Sequence, residues 1–163
     1  MKIEIESRES ILAKAKEPFA AHTALISISD SDDEFAELEN KPRYLLQMKF
    51  DDVSNEIFEE LLGRTPTEPE AAALAEKFHM FTDEQALKIA EFFMPIANKA
   101  EILICQCEYG QSRSAGVAAA VKQFKTGTGI EIFADERYYP NKLVYGKLLA
   151  ALRHIAILED SCI

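Results

Sequence analysis

Residues 102–124 read ILICQCEYGQSRSAGVAAAVKQF, and this stretch decides the fold. Ile102 to Gln106 is a short apolar run behind the charged Glu101, the pattern of a buried parallel strand. Cys107 to Arg113 is a loop of small and polar residues. Ser114 to Phe124 is rich in alanine and reads as a helix. A cysteine thus ends a strand, and an arginine opens the helix that follows.

That order has a chemical meaning. A loop wound tightly before a helix N-terminus turns successive backbone N–H groups inward, and the helix dipole adds positive potential there. The result is a cradle for a phosphate-like oxyanion. Gly110 and the small Ser112 permit the curl, because glycine accepts positive φ without steric cost. Arg113 can close the cradle with a two-pronged bond to two phosphoryl oxygens. The same field favours the thiolate of Cys107, which then faces the phosphorus as a nucleophile. Ser114 is placed to hydrogen-bond that sulfur or the departing group.

Residues 106–114, QCEYGQSRS, resemble the signature loop of the cysteine-dependent protein tyrosine phosphatases in its dual-specificity form, His-Cys-x5-Arg-Ser/Thr. The resemblance implies a phosphatase-like three-layer sandwich and a phosphocysteine intermediate. It implies no metal or other cofactor, and an aspartate general acid from a separate loop. Carried onto this chain, Cys107, Arg113 and Ser114 are the catalytic positions, and Glu108, Tyr109, Gly110, Gln111, Ser112 and Arg113 hold the phosphoryl group. Gln106 stands where the family has histidine. That departure keeps a second reading open, a phosphate-binding module without strong turnover. A third reading is sulfur transfer of the rhodanese type, which also uses a loop-borne cysteine.

Expelling an alkoxide or phenolate requires a proton donor opposite the sulfur. The carboxylates ahead of the loop that qualify are Asp51, Asp52 and Asp83. Asp83 falls in the first turn of a helix, where an acid stabilises the dipole. The family's hydrophobic-x-Asp pattern after the third strand corresponds to Phe50-Asp51-Asp52. That register selects Asp52, with Asp51 the alternative one residue away. Asp135 is read as structural, since a nearby acid loop of the low-molecular-weight type would require the cysteine near the N-terminus.

The rest of the chain reads as βα units around a mainly parallel sheet of about four to five strands, α/β in class, with helices on both faces. Strands are expected at Lys2 to Glu6, Thr23 to Ser29 and Arg43 to Phe50. Ser7 caps a short helix over Ser10 to Lys16, and Pro18 ends it. Asn55 to Leu62 and Glu70 to His79 read as helices on either side of a loop, in an insertion near the site. Thr82 and Gln85 form a capping box for a helix to Asn98, with Ala86, Ile89, Ala90, Phe93 and Ile96 on one face. Pro95 kinks or ends it. Gly127 is the C-cap after the loop helix, and Thr128 to Arg137 reads as a surface excursion. Pro140 opens a last helix to Leu158, with Val144, Leu148, Leu152 and Ile155 inward.

The 163 residues suit one domain, spanning 1–163. No apolar run is long enough to cross a membrane, and MKIEIESRES is not a signal peptide. Cys105, Cys107 and Cys162 are an odd number without framework spacing, which predicts reduced thiols and a cytoplasmic setting. Cys105 is read as a core residue, and Cys162 as a tail residue. The net charge of −10 disfavours nucleic acid and anionic membranes as partners. Six acids in Asp30 to Asn40 do not make a calcium loop, because Phe35 and Lys41 occupy the positions that need glycine and glutamate. The expected substrate is a phosphotyrosine or phosphoserine/threonine protein, or a small phosphomonoester. None of the variable loop positions Glu108, Tyr109, Gly110, Gln111 and Ser112 is basic, which argues against phosphoinositides. Asn141 either braces the loop or sits in a helix's first turn.

Overall fold

A computed structural model describes residues 1–160. Its centre is a four-stranded sheet in the order β1-β4-β2-β3, formed by β1 (Lys2–Glu6), β2 (Thr23–Ser29), β3 (Tyr44–Lys49) and β4 (Ile102–Gln106). All three pairings are parallel. In such a sheet every connection crosses over, and the C-terminal strand ends gather along one edge. Residues that follow β2, β3 and β4 therefore meet, although the sequence separates them widely.

Alternation along β4 divides the core in two. Leu103 and Cys105 face a large cluster with Ile26, Ile28, Phe93, Val117 and Leu148, while Ile104 faces a smaller one with Ile11 and Leu25. The large cluster is closed by α4 (Asp83–Phe93), α5 (Arg113–Thr126) and α7 (Lys142–Asp160); the small one is closed by α1 (Arg8–Lys14). Helices thus lie on both faces, in three layers. Burial of α5 explains its composition: Ala115 and Val117 to Val121 are fully buried, so small side chains let the helix lie close to the sheet.

Capping chemistry sets most boundaries. Ser7 Oγ accepts from Ser10 N, so α1 begins at Arg8 rather than Ser10. Thr82 and Gln85 make the reciprocal capping box, and Gln85 Nε2 also donates to Lys49 O at 2.9 Å, tying α4 to the end of β3. The helix stops at Phe93 and tightens into a 3₁₀ turn, Met94–Ile96, around Pro95. The insertion contains α2 (Asn55–Leu62) and α3 (Glu68–Lys77). Helix α3 starts two residues before the expected Glu70, because Thr67 and Glu70 form a capping box and Pro69 fits the first turn. The stretch expected as a surface excursion contains one helical turn, α6 (Ile130–Phe133), with Ile132 buried. Helix α7 begins after Asn141, not at Pro140, because Asn141 Oδ1 accepts from Val144 N. Ile155 is only half-buried. Among the described residues no helix is long and apolar enough to cross a membrane. Cys162 lies outside the described residues.

Candidate active site

Cys107 follows β4 directly and is 2% exposed. Its N–H donates to Glu6 O at 3.3 Å, so the edge strand β1 fixes the start of the loop. The loop's carbonyls are then pinned to the scaffold one after another. Glu108 O accepts from Arg8 N at 3.0 Å, and Gln111 O from Tyr139 N at 2.9 Å. Ser112 O accepts from Asn141 N at 3.1 Å and from Gly116 N at 2.8 Å. The amides behave oppositely: among the described residues, no N–H from Glu108 to Ala115 has a protein acceptor. Carbonyls held outward and consecutive amides left free are the signature of an anion nest. The 14-residue helix α5 begins at Arg113 and adds its N-terminal dipole.

Gly110 is required twice over. Its φ is +68°, the left-handed region. A Cβ there would lie 2.6 Å from Ser7 N and 2.7 Å from Glu6 C. The loop is therefore seated directly on the β1–α1 junction.

Arg113 is 3% exposed. Its Nη1 donates to Phe50 O at 2.8 Å and pairs with the Asp30 carboxylate. Its Nε is buried without a protein partner. One corner of the guanidinium is anchored, and the Nε donor is left available to a ligand. Ser114 is fully buried, with Oγ 3.0 Å from Cys107 Sγ.

The two candidate acids are in different situations. Asp52 is exposed, and its Oδ1 accepts from Ser112 Oγ at 2.7 Å and Asn141 Nδ2 at 3.0 Å. Its Oδ2 has no hydrogen bond to the described residues. Asp51 is held at Oδ1, which accepts from Ser31 N at 2.8 Å and Ser31 Oγ at 2.7 Å, while Oδ2 lies 3.5 Å from His79 Nδ1, an ion pair only when that imidazole is protonated. Asp51 thus ties the end of β3 to the segment after β2 and to the insertion, while Asp52 reaches the loop. Asp83 pairs with Lys147 at 2.9 Å. Asp135 pairs with Arg137, whose hydrogen bonds hold its carboxyl down to about 2.

The remaining loop side chains divide by direction. Glu108 lies 3.7 Å from Arg8, so its carboxylate faces the scaffold and its contribution to the nest is its amide. Tyr109 is 80% exposed beside the nest. Gln106 is fully buried and points to the α1 face, where its Oε1 accepts from Ser27 Oγ at 2.6 Å. Its Nε2 is buried without a partner. Cys105 is a core residue: burial first, and the neighbouring Cys107 second, push its thiol far up. Asn141 braces the loop, and it caps α7 from outside rather than sitting in its first turn.

Two contributors escaped the sequence reading. Asp30 was grouped with an acidic surface run, yet it closes on Arg113. The Phe50 carbonyl anchors the same nitrogen. Asp30 follows a strand end, and that placement was the available signal.

No family model and no curated protein matches the sequence. Among solved structures, the chain is similar to one described as "Crystal Structure of PTPMT1", with 13% identity, 98% of this chain and 95% of that chain covered, and a TM-score of 0.48.

Proposed function

We propose that the chain is a cysteine-dependent phosphomonoester hydrolase of the protein tyrosine or dual-specificity phosphatase type. The observation that carries the reading is the loop itself: the consecutive amides that follow Cys107 have no protein acceptors among the described residues, and the buried Nε of Arg113 lacks a partner. Buried or converging donors left unpaired are costly unless an acceptor arrives, and a phosphoryl group supplies three.

The reaction proceeds in two balanced steps. The Cys107 thiolate donates its electron pair to phosphorus, and the bond from phosphorus to the leaving oxygen breaks. Asp52 gives that oxygen its proton from Oδ2, while Ser112 and Asn141 hold Oδ1. The nest amides and Arg113 hold the three equatorial oxygens, over which the charge of the phosphoryl group is spread in the transition state. Asp52, now ionised, takes a proton from water as that water attacks the phosphocysteine. The S–P bond breaks, inorganic phosphate departs, and the Ser114 hydroxyl stabilises the returning thiolate from 3.0 Å. No cofactor enters either step.

The test is hydrolysis of p-nitrophenyl phosphate with a burst of p-nitrophenol equal to one enzyme equivalent, together with vanadate inhibition. Vanadate binding without turnover would leave the phosphate-binding module as the reading.

A further inference from the structure

Next to the nest, on the far side of Asp52, lies a second cavity of about 420 Å³. It meets the nest only at Ser112 and Asp52; Cys107, Tyr109 and Arg113 are not among its walls. Asp52 Oδ1 accepts from Ser112 Oγ and from Asn141 Nδ2, and all three residues line the cavity. One part of the wall is aromatic and apolar, with Ile57 from α2 and then Phe133, Tyr138, Tyr139 and Pro140; the rest is polar, and includes the carboxylates of Asp52 and Glu56. Among the described residues its one lining cation is Lys142, which is paired with Glu56 at 2.8 Å. The wall is tied directly to the loop, because Tyr139 N and Asn141 N donate to the carbonyls of Gln111 and Ser112.

We propose that this cavity is a specificity subsite for an apolar side chain flanking the phosphorylated residue of a peptide substrate. The proposal rests on the phosphatase reading of the nest. A leaving oxygen protonated by Asp52 sits against a residue of the cavity wall, so the organic group attached to it continues towards the cavity. With Lys142 paired to Glu56, and with the carboxylates of Asp52 and Glu56 in the wall, the cavity disfavours a second phosphate or an acidic residue. The chain's net charge of −10 repels both further. A flat, apolar wall of tyrosine and phenylalanine instead favours leucine-sized or aromatic side chains. The insertion thereby acquires a role, since α2 supplies Ile57 and Glu56.

The experiment compares two phosphotyrosyl peptides, one with leucine on both sides of the phosphotyrosine and one with aspartate. The leucine peptide is turned over with a kcat/KM about tenfold higher, the scale of one apolar group in a pocket. Tyr139→Ser, at a side chain 72% exposed and thus tolerant of change, collapses that preference. Ile57→Asp does the same through an introduced charge. Both variants lose more on the leucine peptide than on p-nitrophenyl phosphate, which carries no flanking residue. Equal turnover of the two peptides overturns the proposal. So does an equal loss on p-nitrophenyl phosphate, which would place the substrate's own ring in the cavity. Failure of the wild-type chain to bind vanadate overturns the nest reading, and the subsite with it.

Discussion

Asp30, the residue after β2, forms an ion pair with Arg113 at the first position of α5. The same guanidinium nitrogen donates to Phe50 O, after β3. One atom thus joins two strand ends to the start of α5 and leaves Nε without a protein partner. Asp30→Ala is expected to weaken vanadate binding by about tenfold to a hundredfold, the scale of a charge-assisted hydrogen bond. Asp30→Asn, which keeps an acceptor, should recover much of it. Vanadate titration of the two variants checks this, and unchanged affinity in Asp30→Ala would remove Asp30 from the clamp.

Replacing the sulfur separates binding from chemistry. Cys107→Ser should abolish p-nitrophenyl phosphate hydrolysis while retaining phosphate binding, because the amides belong to the backbone. Iodoacetate at neutral pH should label Cys107 and spare Cys105, which is fully buried with its thiol pushed up. Peptide mapping after labelling reads the outcome, and modification of Cys105 ahead of Cys107 would contradict the assignment.

The same logic distinguishes the adjacent acids. Asp52→Ala is expected to lower kcat by about 10²–10⁴ with little change in KM, as for loss of a general acid. Asp51→Ala removes the links to Ser31 and His79, so its main effect should be a lower melting temperature. If Asp51→Ala produces the large kcat loss instead, the donor is one residue earlier.

Much of this arrangement was legible in the sequence where the signals are local. Strand β4 and the cap at Gly127 follow from short-range pattern, as does the Thr82–Gln85 box. What was not legible depended on parallel crossovers. Asp30 looks like one acid among six until β2 is set beside β4, and Asp51 and Asp52 are equivalent until their oxygens have partners. The Thr128 to Arg137 stretch was opaque for a related reason. Its single helical turn is held by packing of Ile132 into the core, not by a repeating pattern.

Gly110 offers a test of the loop's curvature with no change of charge. Gly110→Ala must accept φ of +68° and place Cβ against Ser7 N and the Glu6 carbonyl. The left-handed backbone alone costs on the order of 1–3 kcal/mol, and backbone atoms of β1 cannot rotate away as a side chain would. The loop should lift from the β1–α1 junction, with loss of both vanadate affinity and turnover. A calorimetric titration and a melting curve on the same variant check this; wild-type affinity would mean that the nest tolerates another path.

Gln106 is the point at which the chain departs from the signature it resembles, and its surroundings make the departure testable. Its amide is buried, with Oε1 held by Ser27 Oγ at 2.6 Å and Nε2 without a partner. Ser27→Ala would strand both ends of a buried amide immediately before the nucleophile. The cost should be about 1–3 kcal/mol of stability, the penalty for an unsatisfied buried polar group. Because Gln106 adjoins Cys107 along the backbone, that loss should be accompanied by slower labelling of Cys107 by iodoacetate. Gln106→Leu in the Ser27→Ala background removes the stranded amide, and stability should return. If labelling recovers with it, the amide serves only to satisfy Ser27. If stability returns and labelling stays slow, the Gln106 side chain itself sets the reactivity of the sulfur.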